Sequence, residues 1–234
     1  MAKRRLGFWR WLAVVIVKPA LLLLTRRTWR GAEHLPASGG VIIAAVHNSH
    51  ADPLVVAHFV YDAGRWPQFL AKHSVFEVPV LGWLLRRWRQ IPVRRGTVDA
   101  AKALDAAVDA VKAGDAVIIY PEGTTTKDPD LWPMKARTGV ARLWLQTGAP
   151  VIPVVHWGAQ QIYHPVTHKL RLRPRTPVTV VAGPPIDLSP YREASLAAIT
   201  DVVMLRLRDL LAEVRHVPSP PPLWTPTVRR SERG

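Results

Sequence analysis

Residues 41–53 of the chain read Val41-Ile42-Ile43-Ala44-Ala45-Val46-His47-Asn48-Ser49-His50-Ala51-Asp52-Pro53, and this stretch decides the fold. Its first six residues are an uninterrupted apolar run, which predicts a buried strand. Asp52 and Pro53 precede the apolar residues 54–56, so we expect a helix with Asp52 at its N-cap and Pro53 at its first position. The turn between strand and helix then brings the Asp52 carboxylate back to the His47 imidazole. A carboxylate on one ring nitrogen leaves the other nitrogen free to accept a proton.

The rest of the chain alternates between apolar runs and amphipathic stripes. Strands are expected at residues 91–93, 116–120, 151–156 and 178–182, and helices at residues 53–61, 97–114 and 138–147, with a long helix opening at residues 189–190. This alternation predicts an α/β fold with a single mixed, partly parallel sheet flanked by helices. Ligands of such sheets bind at the carboxyl ends of the strands.

The N-terminal segment combines apolar, tryptophan and basic residues. Three tryptophans and seven cations surround the apolar run 12–24, namely Trp9, Trp11, Trp29, Lys3, Arg4, Arg5, Arg10, Arg26, Arg27 and Arg30. This pattern is typical of a membrane interface. Lys18-Pro19 interrupts the run, and a spanning helix needs about 20 apolar residues. We therefore expect the sheet to be preceded by an N-terminal membrane-associated helical segment, a monotopic anchor bent at Pro19. A signal peptide and an ordinary buried helix are the alternatives.

Length and composition set the organisation of the chain. Its 234 residues suit one main domain at residues 31–216, after an anchoring segment at residues 1–30 and before a proline-rich tail at residues 217–234 that is expected to be disordered. Cysteine is absent, which excludes disulfides, thiolate metal ligands and a cysteine nucleophile. The formal net charge of +15 attracts anionic partners, which include nucleic acid, acidic lipid headgroups and phosphorylated substrates.

Chemically active side chains follow three of the predicted strands. His47 follows the first strand, Arg94 and Arg95 follow the second, and Glu122 and Gly123 follow the third. Because ligands gather at the carboxyl ends of strands, we expect these residues to meet at one edge of the sheet. A planar guanidinium suits recognition of phosphate oxygens, and the backbone amides after a glycine suit an anion.

A metal site is a competing interpretation of the first of these groups. His50-Ala51-Asp52 is similar to part of the His-x-His-x-Asp-His cluster of metallo-β-lactamase-like hydrolases. Asn48 and Pro53 stand where two of the four ligands belong, and no thiolate is present to replace them. We therefore expect no metal, and interpret His50 as a turn or pocket-lining residue.

Four groups of residues, taken in order, resemble the four sequence blocks of the glycerolipid acyltransferase family, whose bacterial members include 1-acyl-sn-glycerol-3-phosphate acyltransferase. The blocks are His47-x4-Asp52, Ile91-Pro92-Val93-Arg94-Arg95-Gly96, Tyr120-Pro121-Glu122-Gly123-Thr124 and Val151-Ile152-Pro153-Val154. Order and spacing both agree with the family, and the resemblance covers roughly residues 32–185. Four ordered blocks are far more specific than any one of them.

The resemblance implies an O-acyltransferase that forms phosphatidic acid in phospholipid synthesis. His47 and Asp52 are the expected catalytic residues. The expected substrate-binding residues are Arg94, Arg95, Glu122, Gly123, Thr124 and Lys135. The implied reaction needs no cofactor, since acyl-CoA or acyl-carrier protein is a co-substrate, and the implied acceptor is a lysophosphatidate. The expected location is an anionic membrane surface, on the cytoplasmic face of the cell membrane.

Two departures from the family pattern concern the acceptor. Arg94 stands where the family usually has Asp, which leaves Arg95 as the match to the family arginine. Thr125 replaces the arginine that normally closes the third block. Either Arg94 or Arg137 compensates for the missing cation, or the acceptor differs. Glycerol 3-phosphate, another lysophospholipid and a glycolipid therefore stay open.

Two rival functions explain part of the sequence. A basic nucleic-acid-binding protein accounts for the charge, but not for the apolar anchor, and none of the common nucleic-acid motifs occurs. We therefore expect no nucleic-acid partner. A hydrolase that uses the same histidine and aspartate is the other rival, and it predicts loss of thioester at an equal rate without any acceptor.

Overall fold

The computed structural model describes residues 7–94 and 99–220, and only the backbone of residues 99 and 100. Within this part of the chain, the strands are β1 (Thr25–Arg30), β2 (Val41–Ala45), β3 (Pro67–Lys72), β4 (Ile91–Val93), β5 (Ala116–Ile119), β6 (Val151–Trp157) and β7 (Thr176–Ala182). The α-helices are α1 (Phe8–Leu24), α2 (Asp52–Asp62), α3 (Ser74–Glu77), α4 (Pro79–Arg87), α5 (Asp99–Lys112), α6 (Gly139–Thr147), α7 (Ala159–Ile162) and α8 (Leu196–Arg215).

The seven strands form one sheet in the order β1-β7-β6-β2-β5-β3-β4. Every neighbouring pair is parallel except β6 and β7, which are antiparallel. This arrangement confirms the predicted single mixed sheet flanked by helices. The strands β2, β5 and β4 are parallel to one another, so the residues that follow them lie along the same edge, as predicted.

Strand β2 lies at the centre of the sheet and is buried on both faces. Successive side chains of a strand point to opposite faces, and β2 accordingly divides between two cores. Ile42 and Ala44 pack with apolar residues of α5, α6 and α8, whereas Val41, Ile43 and Ala45 pack with those of α2 and α7. The sheet is therefore the middle layer of three, which explains why the sequence of β2 has no polar position.

The structure corrects two predicted helix starts. Helix α2 begins one residue earlier than expected, with Ala51 at its N-cap. The Asp52 carboxylate bonds the Ser49 N–H and the His47 ring instead of capping the helix. Ser189 and the residue after it form only a short 3-10 turn. The long helix α8 begins after Ser195, whose side chain accepts a hydrogen bond from the Ala198 N–H at 3.2 Å. The predicted cap Thr97 lies outside the described residues, as does most of the proline-rich tail.

Helix α1 runs from Phe8 to Leu24, and Pro19 lies inside it. One face of α1 packs against the protein: the Lys18 Nζ atom lies 2.7 Å from an Asp62 oxygen, and the rings of Trp9 and Trp83 meet at 4.5 Å. The other face exposes large apolar side chains, namely Phe8, Trp11, Val15, Ile16, Leu22 and Leu23. Among the described helices, none is long and apolar enough to cross a bilayer.

Several elements between the predicted ones were not expected from the sequence, among them β1, β3 and α4. Strand β1 pairs with β7, so the sheet extends N-terminal to the expected boundary at residue 30. Strand β3 pairs with β5 and β4 and thereby connects β4 to the rest of the sheet. Helix α4 carries a further exposed apolar group, Val80, Leu81 and Trp83. Helix α4 packs against α1 at this point, since the rings of Trp83 and Trp9 are in contact.

Candidate active site

The turn after β2 brings His47 and Asp52 together as the sequence predicted. The His47 Nδ1 atom lies 3.0 Å from the Asp52 Oδ2 atom. The Ser49 N–H donates to the same oxygen at 2.8 Å, which fixes the carboxylate from the backbone side. The Ser49 hydroxyl in turn donates to the carbonyl oxygens of Ala159 and Tyr163, at 3.0 and 2.7 Å. The turn is therefore held in one shape by bonds to α7 and the residues after it.

The Asp52 carboxylate is completely buried and has a second imidazole beside it. The His156 Nε2 atom lies 3.4 Å from Asp52 Oδ2 and 3.1 Å from the Val46 carbonyl oxygen. Burial by itself raises the pKa of Asp52, but the adjacent His156 and His47 outweigh burial and hold that pKa below its ordinary value. The carboxylate is therefore ionised at neutral pH, with imidazole nitrogens on two sides.

The His47 ring is oriented by contacts on both its nitrogen and its face. Because Nδ1 faces a carboxylate, the proton of the neutral ring belongs on Nδ1, and Nε2 carries the free lone pair. The ring stacks on Tyr120 with 4.2 Å between centroids and 20° between planes. The side chain of His47 keeps 12% of its surface exposed. This geometry leaves an unprotonated nitrogen at the surface of the site, which is what a general base requires.

Glu122 holds the backbone of His47 from the neighbouring strand end. Its Oε1 atom accepts the His47 N–H at 3.3 Å and its Oε2 atom accepts the Met134 N–H at 2.9 Å. The Thr126 N–H donates to the His47 carbonyl oxygen at 2.7 Å, so both backbone groups of His47 are bonded to the segment after β5. Burial raises the pKa of Glu122 to about 8, against the opposing effect of these two backbone donors. Glu122 therefore lies behind the histidine, with each oxygen bonded to the backbone.

A cavity of about 350 Å³ is lined in part by Tyr120, the ring that stacks on His47, while His47 itself is not among its lining residues. Its apolar wall includes Leu70, Leu104 and Tyr120, and its rim includes Gly123, Arg137 and Arg142. Gly123 adopts a φ of +70°, and a Cβ atom at this position would lie 3.3 Å from the Cδ atom of Arg137. The glycine thus permits the arginine to lie across the turn after β5. The half-buried Thr124 follows on the same turn.

One of the predicted phosphate ligands, Arg94, lies apart from this cavity. Arg94 is exposed, and one of its guanidinium nitrogens lies 3.4 Å from the His73 Nε2 atom. It lines a different cavity, of about 300 Å³, together with Lys102. Lys135 is exposed, and Arg95 lies outside the described residues. Three inter-strand steps separate β2 from β4, which amounts to about 14 Å of sheet. Arg94 therefore lies on the edge of the sheet that the sequence predicted. It lines a different cavity from Gly123.

Sequence reasoning missed His156 and Tyr120 as members of the site. His156 lies near the carboxyl end of β6, which is the neighbour of β2 in the sheet. His156 follows five buried strand residues, as His47 follows its own apolar strand. This similarity in the sequence could have indicated that His156 belongs to the site. Tyr120 follows β5 directly, and only the packing of the strands brings its ring onto His47.

The fold and the histidine–aspartate turn define an acyltransferase-type site, and comparison with known proteins gives the family. Residues 26–157 match the sequence model of the Acyltransferase family, so the chain belongs to this family. A relative named 1-acyl-sn-glycerol-3-phosphate acyltransferase BAT2, chloroplastic, from Brassica napus is 30% identical over 137 residues, which cover 57% of this chain and 38% of the relative. The enzyme named 1-acyl-sn-glycerol-3-phosphate acyltransferase from Borreliella burgdorferi is 29% identical over 134 residues, which cover 57% of this chain and 52% of the relative.

The chain thus matches about half or less of the length of these two curated relatives.

A solved structure shares the fold over most of both chains. The crystal structure of the 1-acyl-sn-glycerophosphate acyltransferase PlsC from Thermotoga maritima has a TM-score of 0.63 at 24% identity, and the match covers 91% of this chain and 85% of that one.

Proposed function

We propose that this protein is an O-acyltransferase that moves a fatty acyl group from an acyl thioester to the free hydroxyl of 1-acylglycerol 3-phosphate and forms phosphatidic acid. The observation that carries the proposal is the 3.0 Å contact between His47 Nδ1 and Asp52 Oδ2, next to a cavity with an arginine rim. Membership of the acyltransferase family and the names of the relatives support the same reaction.

The geometry supports direct transfer from thioester to alcohol. The His47 Nε2 atom takes the proton of the acceptor hydroxyl, and Asp52 stabilises the imidazolium that forms. The hydroxyl oxygen attacks the thioester carbonyl carbon, the carbon–sulfur bond breaks, and the imidazolium returns its proton to the leaving thiolate. No Gly-x-Ser-x-Gly nucleophile motif occurs in the chain, so we expect no serine acyl-enzyme.

The chemistry of the cavity rim supports an acceptor that carries a phosphate. Arg137 and Arg142 are exposed cations on the rim of the 350 Å³ cavity, and they suit a phosphate group. Arg137 lies against Gly123 and supplies a guanidinium close to the position where Thr125 replaces the family arginine. The apolar wall formed by Leu70 and Leu104 suits a hydrocarbon chain. A phosphate beside an acyl chain is the composition of a lysophosphatidate.

The charge of the protein is compatible with either acyl donor, and its exposed apolar surface supports a location at a membrane. A net charge of +15 suits the phosphates of acyl-CoA, an acidic acyl-carrier protein and an anionic membrane equally. The exposed face of α1 carries Phe8, Trp11, Ile16 and Leu23 and suits insertion into one leaflet. We assign the protein to the cytoplasmic face of the cell membrane as a monotopic enzyme, where both substrates are available in the bilayer surface.

The test is incubation of the purified chain with labelled palmitoyl-CoA and a panel of acceptors. The panel contains lysophosphatidate, glycerol 3-phosphate, a neutral monoacylglycerol and lysophosphatidylcholine. We expect a labelled product on lysophosphatidate, identified as phosphatidic acid, at a rate well above that on the neutral monoacylglycerol. Thioester loss at the same rate without any acceptor would contradict transferase activity and identify a hydrolase. A preference for another acceptor would keep the reaction and overturn the assigned substrate.

A further inference from the structure

The connection between α7 and β7 forms a basic loop (residues 163–175) of defined shape. The His164 N–H donates to the Lys169 carbonyl oxygen at 3.1 Å, and the Arg171 N–H donates to the Ile162 carbonyl oxygen at 2.7 Å. At the tip, the Val166 N–H donates to the His164 Nδ1 atom at 3.2 Å. The loop is therefore a small hairpin held by its own bonds.

The surface of this basic loop combines cations with large apolar side chains. Val166, Leu170 and Leu172 are 54%, 59% and 64% exposed. The cations are Lys169, Arg171, Arg173 and Arg175, and no salt bridge joins any of them to another described residue. The chain has no acidic residue between Asp130 and Asp187. Exposed leucines alternating with arginines indicate a partner that is both apolar and anionic.

The basic loop extends from the catalytic turn to the end of α1. The rings of His168 and His50 stack with 5.6 Å between centroids, and the His50 ring lies 6.5 Å from that of His47. At the other end, the Arg175 N–H donates to the Leu23 carbonyl oxygen at 3.1 Å. Leu23 is among the exposed apolar residues of α1. The loop therefore continues the apolar surface of α1 as far as the active-site opening.

We propose that the basic loop is a second membrane-contacting surface, whose leucines enter the interface of an anionic bilayer while its cations bind lipid headgroups. A bilayer is favoured over a protein partner because the loop is continuous with the exposed apolar end of α1. A bilayer offers both an apolar layer for such side chains and anionic headgroups for the cations, whereas an acidic protein surface offers only the charge. In the context of the proposed function, this docking directs the opening beside His47 towards lipid in the headgroup layer.

The test measures binding of the full-length chain to vesicles without substrates, so that it does not depend on acyltransferase activity. Vesicles of phosphatidylcholine with phosphatidylglycerol are compared with vesicles of phosphatidylcholine alone. The variants are Leu170→Ser/Leu172→Ser and Arg171→Gln/Arg173→Gln, and the matched control on α8 is Leu205→Ser/Arg206→Gln. We expect the arginine variant to lower the partition coefficient on anionic vesicles by roughly 30-fold, since each of its two cations contributes about 1 kcal/mol near a charged surface. The leucine variant should lower it by at least roughly tenfold, because it removes apolar surface that would enter the bilayer. The control is expected to bind as the wild type does.

Unchanged binding of both loop variants to anionic vesicles would overturn the proposal. A second readout separates the alternative partner: the KM for an acyl-carrier protein donor is compared with that for acyl-CoA. Normal vesicle binding with a raised KM for the carrier protein alone would assign the loop to protein docking and overturn the membrane assignment.

A different observation concerns the imidazole of His156. Its Nε2 atom faces two acceptors, the Asp52 Oδ2 atom at 3.4 Å and the Val46 carbonyl oxygen at 3.1 Å. A nitrogen that faces two acceptors carries a proton, so His156 donates towards the same carboxylate oxygen that faces the His47 Nδ1 atom. The side chain is completely buried, and His156 is not among the lining residues of the 350 Å³ or the 300 Å³ cavity.

From this geometry we infer that His156 is a positioning residue, which keeps the Asp52 carboxylate ionised and aimed at the His47 Nδ1 atom. The inference rests on the proposed function, since it assigns the dyad a catalytic role. The titratable groups around the carboxylate are His47, His50, Tyr120, Glu122 and His156.

The test compares His156→Leu, which removes the donor, with His156→Gln, which keeps one. We expect the leucine variant to lower kcat at least tenfold with little change in the acceptor KM, and to move the acid limb of the pH–rate profile to higher pH. The shift follows because a buried carboxylate without its donor is protonated more readily. The glutamine variant should recover most of the rate and the wild-type profile.

Thermal denaturation of both variants shows whether each is folded. Equal losses in the two variants, or an unmoved acid limb in the leucine variant, would reduce His156 to a packing residue. If the leucine variant does not fold, the pH–rate profile of the glutamine variant is the test. This variant keeps a hydrogen-bond donor, so a profile with its acid limb displaced from that of the wild type would contradict the inference. Failure of the acyltransferase assay in the wild type is a separate result and would instead overturn the proposed function.

Discussion

The Asp52 carboxylate of the histidine–aspartate turn after β2 is buried, whereas Arg94 and Arg137, which are expected to bind phosphate, are exposed. Asp52 has partners from the Ser49 backbone, His47 and His156. Arg94 and Arg137 line two different cavities. Under the proposed function, proton transfer would depend on the fixed geometry of this turn, and recognition of the acceptor would depend on the exposed cations.

The largest effect is expected when the charge of the buried Asp52 carboxylate is removed. Asp52→Asn keeps the shape of the side chain but not the anion that stabilises the imidazolium. We expect kcat/KM to fall on the order of 10²–10⁴-fold. The matched control is Asp62→Asn on the same helix, because the Asp62 carboxylate bonds Lys18 and Trp29 instead of the catalytic histidine. Circular dichroism confirms folding, and equal rates in the two variants would remove the basis for a catalytic Asp52.

A smaller effect is expected when an exposed arginine is replaced. Its size should differ between Arg137 and Arg94. Arg137→Ala is expected to raise the KM for lysophosphatidate about 10- to 100-fold, the value of one charge-assisted hydrogen bond to phosphate. Arg94→Ala should raise it less, because Arg94 lines the other cavity. The neutral monoacylglycerol serves as the control acceptor, on which both variants should behave alike. A larger effect of Arg94→Ala would place the phosphate at the end of β4.

The smallest effect concerns stability and tests the segment that supports His47. The pKa of Glu122 is about 8 in the folded protein, above its ordinary value of 4.5. The folded state therefore binds the proton more tightly, and this contribution to stability is complete below pH 4.5 and is lost as the pH rises to about 8. Glu122→Gln has no such titration. We expect the unfolding free energy of the wild type to fall relative to that of the variant from pH 5 to pH 8, measured by urea denaturation. A difference that is independent of pH would contradict the raised pKa.

The central strand and the catalytic turn could be predicted because their signals are local. An apolar run followed by a polar turn and Pro53 fixes the end of β2 and the start of α2 to within one residue. The placement of Asp52 inside the helix could not be read, because it depends on the carboxylate finding Ser49 and His47 instead of the helix amides.

The elements that were missed depend on distant partners. Strand β1 has the sequence Thr-Arg-Arg-Thr-Trp-Arg, which has no apolar alternation, and it is a strand because it pairs with β7 some 150 residues later. His156 joins Asp52 across the pairing of β6 with β2. The position of Arg137 over Gly123 follows from the fold of the turn after β5. Local patterns therefore gave the chemistry of the site, and tertiary contacts decide which cations share its cavity.

The most direct test of the account follows coenzyme A release from palmitoyl-CoA, with and without lysophosphatidate, in the wild type, His47→Ala and His50→Ala. The account predicts release that requires the acceptor, matches phosphatidic acid formation one to one, and falls on the order of 10²–10⁴-fold or more in His47→Ala. Loss of the neighbouring imidazole in His50→Ala should cost far less. Phosphatidic acid formed by His47→Ala at the wild-type rate would contradict the claim that this imidazole activates the hydroxyl.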